Sequence, residues 1–213
     1  MITAEDLEYH HGPDADYTWA ETYYLPISVP EERLFAHVYV CVRPVLGVMQ
    51  NDIRVHGSVS DSEFELLYVD TQFHLPAPKR FSRIEGPNGL VVEAVRPPRD
   101  YRIDYVGYDD TEIHVDMIGI MDPWDIHDPN QNLLAANRTE EERIAMTSMG
   151  SGYKGHFDMH CRVTGTLKVR GKEYPVNIVD RMNHSWGPRH EMEIPPMNSV
   201  RSEEHTSELQ SLR

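Results

Sequence analysis

Short stretches in which apolar and polar residues alternate follow one another along the first 120 or so positions of the chain. Alternation with a period of two is typical of strands with one buried face, and Gly, Pro, Asn and Asp between the stretches indicate turns, one of them near residues 50–52. The predicted strands cover residues 17–25, 35–42, 53–59, 63–75, 81–84, 90–95, 101–106 and 113–117, and the alternative for residues 17–25 is a segment that plugs one end of a barrel. Many short strands at regular spacing predict an all-β, antiparallel sandwich or barrel.

Residues 122–154 interrupt this pattern. They contain turn-forming Asp-Pro pairs, and Thr139 followed by Glu142 matches a capping box, in which each side chain bonds to the other residue's backbone. We therefore expect one short helix from about residue 139 to residue 149, ended by glycines. This stretch, which we call the insert, is the natural boundary between two halves of the chain.

Residues 155–189 are predicted to form one long β-hairpin. Odd positions from Phe157 to Val169 are apolar or small, and even positions are polar, as in a strand with one buried face. A two-residue turn with Gly171 at its first central position suits type II′ and places Tyr174 inward, opposite Val169. This register divides the hairpin into an inner row and an outer row of side chains.

The inner row of the return strand contains Asp180, Met182, His184 and Trp186. A carboxylate and an imidazole in an otherwise apolar row need hydrogen-bond partners, because unpaired burial of polar groups is costly. Asp180 and His184 are therefore either an acid–base pair that faces a ligand or a structural interaction that closes the sheet.

The outer row contains His156, Asp158 and His160, with Asn183 on the opposite strand. His-x-Asp-x-His on one strand face has the spacing of a metal site, whereas nearby arginines such as Arg181 would repel a cation. The alternatives are a metal site and a hydrogen-bonded face. A β-bulge near Arg181 would exchange the two rows.

Composition excludes several classes of function. The net charge of −15 disfavours nucleic acid and anionic membranes, and no apolar run is long enough for a membrane span. The acidic N-terminus lacks a signal-peptide pattern, which favours a cytoplasmic protein. Two cysteines do not indicate a disulfide framework. The sequence gives no indication of oligomeric state.

Both ends of the chain are expected to lie outside the packed fold. Residues 1–16 are polar and acidic, and we expect a loosely ordered lead-in. Residues 201–213 resemble the translation of a common sequencing adapter. That resemblance predicts that the native sequence stops near Val200 and that a C-terminal portion is missing.

The segment VTGTLKVRGKEYPVNIVDRMNHSWGPR is similar to the central hairpin of the AttH-like and carotenoid hydratase (CrtC) superfamily. TWAETYY, RPVLGV and VRPPRDYRIDY also fit its bacterial branch, so the resemblance covers roughly residues 17–200. It implies two lipocalin-like (calycin) antiparallel β domains, the first over residues 17–150 and the second from residue 151, truncated near residue 200.

The resemblance also implies site residues. His184 and Trp186 match the family's His-x-Trp-Gly motif, and Arg189 matches the bacterial branch. The family pattern implies an acid just before this motif, where the chain has Asn183. An amide cannot exchange a proton as a carboxylic acid does, so a direct transfer of hydratase chemistry is weakened.

Three hypotheses about function follow. The first is a cofactor-independent acid/base enzyme of the hydratase, isomerase or cyclase type, acting on a hydrophobic isoprenoid- or polyketide-like molecule. The second is a non-catalytic lipocalin-like binder of a hydrophobic ligand, and the third is a metal-dependent hydrolase that uses His156, Asp158 and His160. In the first, the candidate catalytic residues are Asp180, His184 and Asn183, and the candidate ligand-binding residues are Trp186, Tyr174, Met182, Trp19 and Arg189.

Overall fold

A computed structural model describes residues 1–58, 62–147 and 149–190. Within these ranges the chain is almost entirely antiparallel β-structure with one short α-helix, so the predicted all-β, antiparallel fold is confirmed. The strands are β1 (Trp19–Val29), β2 (Leu34–Arg43), β3 (Val48–His56), β4 (Tyr68–Pro76), β5 (Arg83–Glu85), β6 (Val91–Arg96), β7 (Asp100–Val106), β8 (Glu112–Gly119), β9 (Trp124–Asp125), β10 (Gly155–Val169) and β11 (Lys172–Pro188). The helix α1 spans Glu140–Ala145.

The strands form one antiparallel sheet in the order β4-β3-β2-β1-β11-β10-β8-β7-β6-β5, and β9 pairs with β10. Seven strand spacings would separate β4 from β7 by about 33 Å in a flat sheet. Yet the hydroxyl groups of Tyr68 on β4 and Tyr105 on β7 are hydrogen-bonded, with their oxygens 2.5 Å apart, and the Tyr105 hydroxyl donates to Asp70 at 2.6 Å. The sheet is therefore strongly curled, so that β4 comes into contact with β7.

The hydrophobic core lies on the concave face of this sheet. Strand β8 shows the cause: Ile113, Val115 and Met117 are buried, and the residues between them are more exposed. The same period of two runs through β2 and β7 and places alternate side chains in one continuous apolar cluster.

The β10–β11 hairpin lies at the centre of the sheet, between β1 and β8. Its predicted register was wrong by two residues, because Val169 pairs with Lys172 and Tyr174 pairs with Leu167. The turn residues are Arg170 and Gly171, both with positive φ (49° and 82°), as in a type I′ turn rather than type II′. A shift of two preserves which side chains share a face, so the two predicted rows remain intact.

The insert contains the predicted helix, although the helix is shorter than expected. The Thr139 hydroxyl accepts from the Glu142 backbone N–H, and the Glu142 carboxylate accepts from the Thr139 backbone N–H, so the capping box is confirmed. The helix ends at Ala145 with Met146 as its C-cap, and a 3-10 helix at Gly150–Tyr153 leads into β10. The insert packs against the convex face of the hairpin, where β9 pairs with Phe157 and Asp158.

The N-terminal segment, residues 1–16, is packed rather than loosely ordered, so that prediction was wrong. Leu7 is fully buried in the core, within a 3-10 helix at Glu5–Leu7. Tyr9 donates from its hydroxyl to the Pro78 carbonyl at 2.7 Å. The prediction was based on the overall polar composition of the segment, but its few apolar and aromatic side chains, such as Leu7 and Tyr9, pack against the concave face of the sheet.

The turn predicted near residues 50–52 was also wrong, because these residues lie inside β3. Asn51 bonds to Asn88 at 2.9 Å, and Asp52 accepts from Arg54 at 2.8 Å. Turn-forming residue types can thus stand in a strand when partners satisfy their side chains. The end of the predicted strand at residue 59 lies outside the described residues.

The division into two lipocalin-like domains stays a prediction, and the adapter-like tail lies outside the described residues. Cys41 and Cys161 are both buried and form no disulfide in the part of the chain that the structure describes. Burial raises the pKa of the Cys161 thiol to about 12, which keeps it protonated. Among the described residues, no helix combines the length and apolar character required to cross a bilayer.

Candidate functional site

A cleft of about 380 Å³ lies between the insert and the convex face of the hairpin. We call it the insert cleft. Volumes of this size suit small-molecule ligands. Its walls combine apolar side chains from the insert with polar side chains from the hairpin's outer row, and the lining residues are Trp124, Ile126, Asn132, Met146, Thr147, Tyr153, His156, Asp158, Arg181 and Asn183.

His156 and Asp158 form the polar centre of the cleft. They are two residues apart on β10 and therefore point to the same face. His156 Nε2 lies 3.5 Å from Asp158 Oδ2, and both side chains are largely buried, with 6% and 17% exposure. His156 Nδ1 has no hydrogen-bond partner among the described residues. A carboxylate beside an imidazole with one unengaged nitrogen is an arrangement that serves general acid–base catalysis.

Electrostatics keep Asp158 ionised. Burial alone would raise its pKa, but the hydrogen bond and charge of His156, together with the charges of Arg181 and His160, outweigh burial and hold the pKa below its usual value. Arg181 Nε lies 3.5 Å from Asp158 Oδ1. The guanidinium is half exposed, so an anionic or polar group in the cleft can contact it.

The insert supplies the apolar wall and fixes its position. Trp124 donates from its indole nitrogen to the Gln131 carbonyl at 3.2 Å, which orients the ring. Tyr153 stacks on His156, with ring centroids 4.2 Å apart. Arg189 packs over Tyr153 at 5.8 Å and donates to Ser185 at 2.9 Å, so its role is to hold the insert against the sheet.

Asn183, the residue at the acid position implied by the resemblance, lies in the insert cleft. It is paired with Asp158 across the hairpin and with Tyr24 on β1. The β10–β11 pairing continues from Gly155–Trp186 to Val169–Lys172 without a register shift, so no bulge moves Asn183 to the inner row. The amide can donate or accept a hydrogen bond in the cleft but cannot supply a catalytic proton.

The inner row faces the packed core. His184 is fully buried, and its Nδ1 lies 2.8 Å from the Thr22 carbonyl. Burial lowers the pKa of His184 to about 3, so the imidazole is neutral near pH 7. Nδ1 therefore carries the proton and donates to Thr22, and Nε2 has a lone pair without a hydrogen-bond partner among the described residues.

Two residues that the sequence analysis missed lie beside His184. Glu21 on β1 is fully buried, and His10 in the N-terminal segment lies 3.1 Å from it, Nδ1 to Oε2. His10 also stacks on Trp186, with centroids 3.8 Å apart and planes within 3° of parallel. Trp19 donates from its indole nitrogen to Glu21 at 2.9 Å. We call His10, Glu21 and His184 the inner cluster.

Glu21 carried a sequence signal, whereas His10 did not. Trp19, Glu21, Tyr23 and Leu25 share one face of β1, so a carboxylate stands in an otherwise apolar inward row. Such a residue requires a buried partner. His10 belongs to a polar segment without periodicity, so only the tertiary structure reveals its position.

The structure does not bring Asp180 and His184 together. Four residues along a strand separate them by about 13 Å. Asp180 accepts from Ser28 at 2.7 Å and from the Arg181 backbone at 3.0 Å. Met182 is buried in the core, and Tyr174 lies near the hairpin turn, where Lys172 packs over its ring.

His160 completes the predicted outer row but is exposed. It pairs with Arg181 across the hairpin, and its Nδ1 contacts Met121 Sδ at 3.4 Å. In the ranges that the structure describes, the donor atoms of His156, Asp158 and His160 do not form a group that could hold an ion. His156, Asp158 and His160 therefore have the sequence spacing of a metal site, but their side chains do not come together as metal ligands would.

Comparisons with known proteins add a family but no activity. A family model described as "Domain of unknown function (DUF7064)" matches residues 4–202. The sequence matches none of the curated proteins with which it was compared. One similar solved structure is a crystal structure of a Nitrosomonas europaea protein provisionally named AttH, with 11% sequence identity and a TM-score of 0.44. The alignment covers 88% of this chain and 55% of that one, so the chain spans about half of that protein's length.

Proposed function

We propose a function for this chain, which belongs to the DUF7064 family: it binds an amphipathic small molecule in the insert cleft and transfers protons on it. The observation that carries the proposal is the His156–Asp158 pair, largely buried in the wall of a cleft large enough for a ligand. Convergent polar groups beside an apolar wall are the usual features of a ligand site.

The cleft favours a ligand with two unlike ends. An apolar body packs against Trp124, Ile126 and Met146 on the insert side. A polar or anionic group reaches Arg181 and the Asn183 amide on the hairpin side. The resemblance to the carotenoid hydratase superfamily favours an isoprenoid- or polyketide-like body for such a ligand.

Within this proposal, His156 exchanges the proton and Asp158 orients it. Asp158 stays ionised because its pKa is held below the usual value despite burial, so it stabilises an imidazolium when His156 accepts a proton. Proton addition to a double bond begins each of three reactions of an apolar substrate. Proton loss from a neighbouring carbon then completes an isomerisation, ring closure followed by proton loss completes a cyclisation, and addition of water followed by proton loss from that water completes a hydration. This chemistry requires no cofactor.

A second candidate function is non-catalytic ligand binding, and Asn183 is the observation that favours it. The amide replaces the acid implied by the resemblance and removes one proton donor from the cleft. A binder requires the apolar wall and Arg181 but makes no use of the His156–Asp158 pair.

Binding is tested with 1-anilinonaphthalene-8-sulfonate, an anionic amphipathic dye, on the full chain. We expect saturable binding that weakens at least roughly tenfold in Arg181→Gln, which loses a charge-assisted contact of about 1.5–3 kcal/mol. Arg162→Gln is the matched control, because Arg162 is exposed on the neighbouring strand and donates to Asn177. Equal affinities in both variants would contradict the location of the ligand.

Catalysis is tested by incubating the chain with isoprenoid and polyketide-like compounds in deuterated water and measuring deuterium incorporation by mass spectrometry. Incorporation that is lost in His156→Gln and retained in His160→Gln supports the acid–base role, because His160 is exposed. Dye binding without incorporation for any compound would support the non-catalytic alternative. Incorporation that survives in His156→Gln would refute the role of His156.

A further inference from the structure

The inner cluster joins three separate parts of the chain at one point. His10 comes from the N-terminal segment, Glu21 from β1 and His184 from β11. Each offers one metal-binding atom, and the three atoms lie within 4.8 Å of one another. Two imidazoles and a carboxylate at this separation are the ligand types of a transition-metal site.

His184 supplies the independent observation. Its side chain is fully buried, and its Nδ1 is engaged by the Thr22 carbonyl, so the tautomer is fixed. Nε2 is therefore the nitrogen that His184 has left for a metal ion, and it is buried without a hydrogen-bond partner among the described residues. A metal-binding histidine commonly has this arrangement, in which a backbone carbonyl holds the other ring nitrogen.

Glu21 and His10 are held in a comparable way. Trp19 Nε1 and the His10 backbone amide both donate to Glu21 Oε1, at 2.9 and 2.8 Å. His10 Nε2 is buried and lacks a hydrogen-bond partner in the described ranges. Asp6 Oδ1 lies 3.7 Å from this nitrogen, whereas Glu21 lies beside the other ring nitrogen, Nδ1, so Asp6 orients the His10 ring. Hydrogen bonds of this kind orient the ligand side chains before an ion binds.

We propose that His10, Glu21 and His184 bind a divalent transition-metal ion of the zinc type. The mixed nitrogen and oxygen donors suit such an ion better than calcium or magnesium, which prefer oxygen ligands alone. An ion at this point would tie the N-terminal segment to β1 and β11. No residue of the inner cluster lines the insert cleft, so this proposal and the proposed function can fail independently.

The probes are Zn²⁺, followed by calorimetry, and Co²⁺, followed by its visible absorption, on full chain treated with a chelator. We expect one ion per chain, and a loss of at least roughly tenfold in affinity for His184→Gln and for Glu21→Gln. His160→Gln, which alters an exposed residue of the outer row, is expected to bind as the wild type does.

Because a fully buried variant can fail to fold, His10→Gln provides a second test. His10 is 18% exposed and lies in the N-terminal segment, so its replacement leaves the sheet intact. Weaker Zn²⁺ binding with an unchanged circular dichroism spectrum supports the site. Stoichiometric binding that is equal in wild type, His10→Gln and Glu21→Gln would overturn it, as would the absence of stoichiometric binding to folded wild type.

Discussion

Leu7→Ala tests whether the N-terminal segment is an integral part of the fold. Leu7 is fully buried against the concave face, although it belongs to a segment of polar composition. Truncation removes about three carbon atoms from the core, at roughly 0.8 kcal/mol for each. The cavity adds to this loss, so we expect a decrease of about 3 kcal/mol in the free energy of unfolding.

The assay is urea unfolding followed by tryptophan fluorescence. Trp186 stacks on His10 and therefore reports on the segment as well as on the sheet. Glu5→Ala is the matched control, since Glu5 lies in the same 3-10 helix and is exposed. Its effect is expected to stay within about 0.5 kcal/mol. Equal unfolding free energies for the two variants would refute the packing of the segment.

Three further predictions concern the hairpin and its rows. Gly155→Ala should lower the unfolding free energy by about 1–3 kcal/mol, because a Cβ at this position would lie 2.0 Å from the Trp186 ring. Gly12→Ala is the control, because a Cβ there meets nothing within 4 Å, and equal urea midpoints for the two variants would contradict the prediction. Arg170→Asn should raise the unfolding free energy by roughly 0.5 kcal/mol, because Asn tolerates the left-handed conformation and Asn-Gly suits a type I′ turn, and this gain exceeds the loss of the exposed Arg170–Asp109 ion pair. A fall in the unfolding free energy would contradict the type I′ turn. The lowered pKa of Asp158 stabilises the fold above the unfolded pKa of about 3.9, and this contribution is lost as pH falls through the folded pKa. The stability advantage of the wild type over Asp158→Asn should therefore shrink below about pH 4 in urea titrations, and an advantage that grows would contradict the sign.

The sequence predicted the two rows of the hairpin because side-chain parity is a local property. Met182 and His184 are inward and Asp158 and Asn183 are outward, as the alternation required. The register was wrong by two because Gly171 suits a central position of more than one turn type, and the choice of type I′ depends on the left-handed conformation of Arg170.

The sequence could not predict which row borders a cleft. That depends on where the insert folds back, and Trp124 and Tyr153 have no periodic signal that connects them with the hairpin. The partner of His184 was also mistaken, because the acidic residue beside it is Glu21 on the adjacent strand β1, which is remote in sequence, rather than Asp180 on the same strand. Contacts between remote segments are not encoded in local patterns.

The most direct test of the proposed site uses the three tryptophan indole signals in a ¹H–¹⁵N correlation spectrum during titration with 1-anilinonaphthalene-8-sulfonate. Trp124 lines the insert cleft, whereas Trp19 and Trp186 lie beside the inner cluster. We predict that the Trp124 indole signal shifts with saturation, that the other two stay in place, and that Arg181→Gln weakens the shift. A saturable shift of Trp186 with Trp124 unchanged would place the ligand on the concave face and contradict the proposed site.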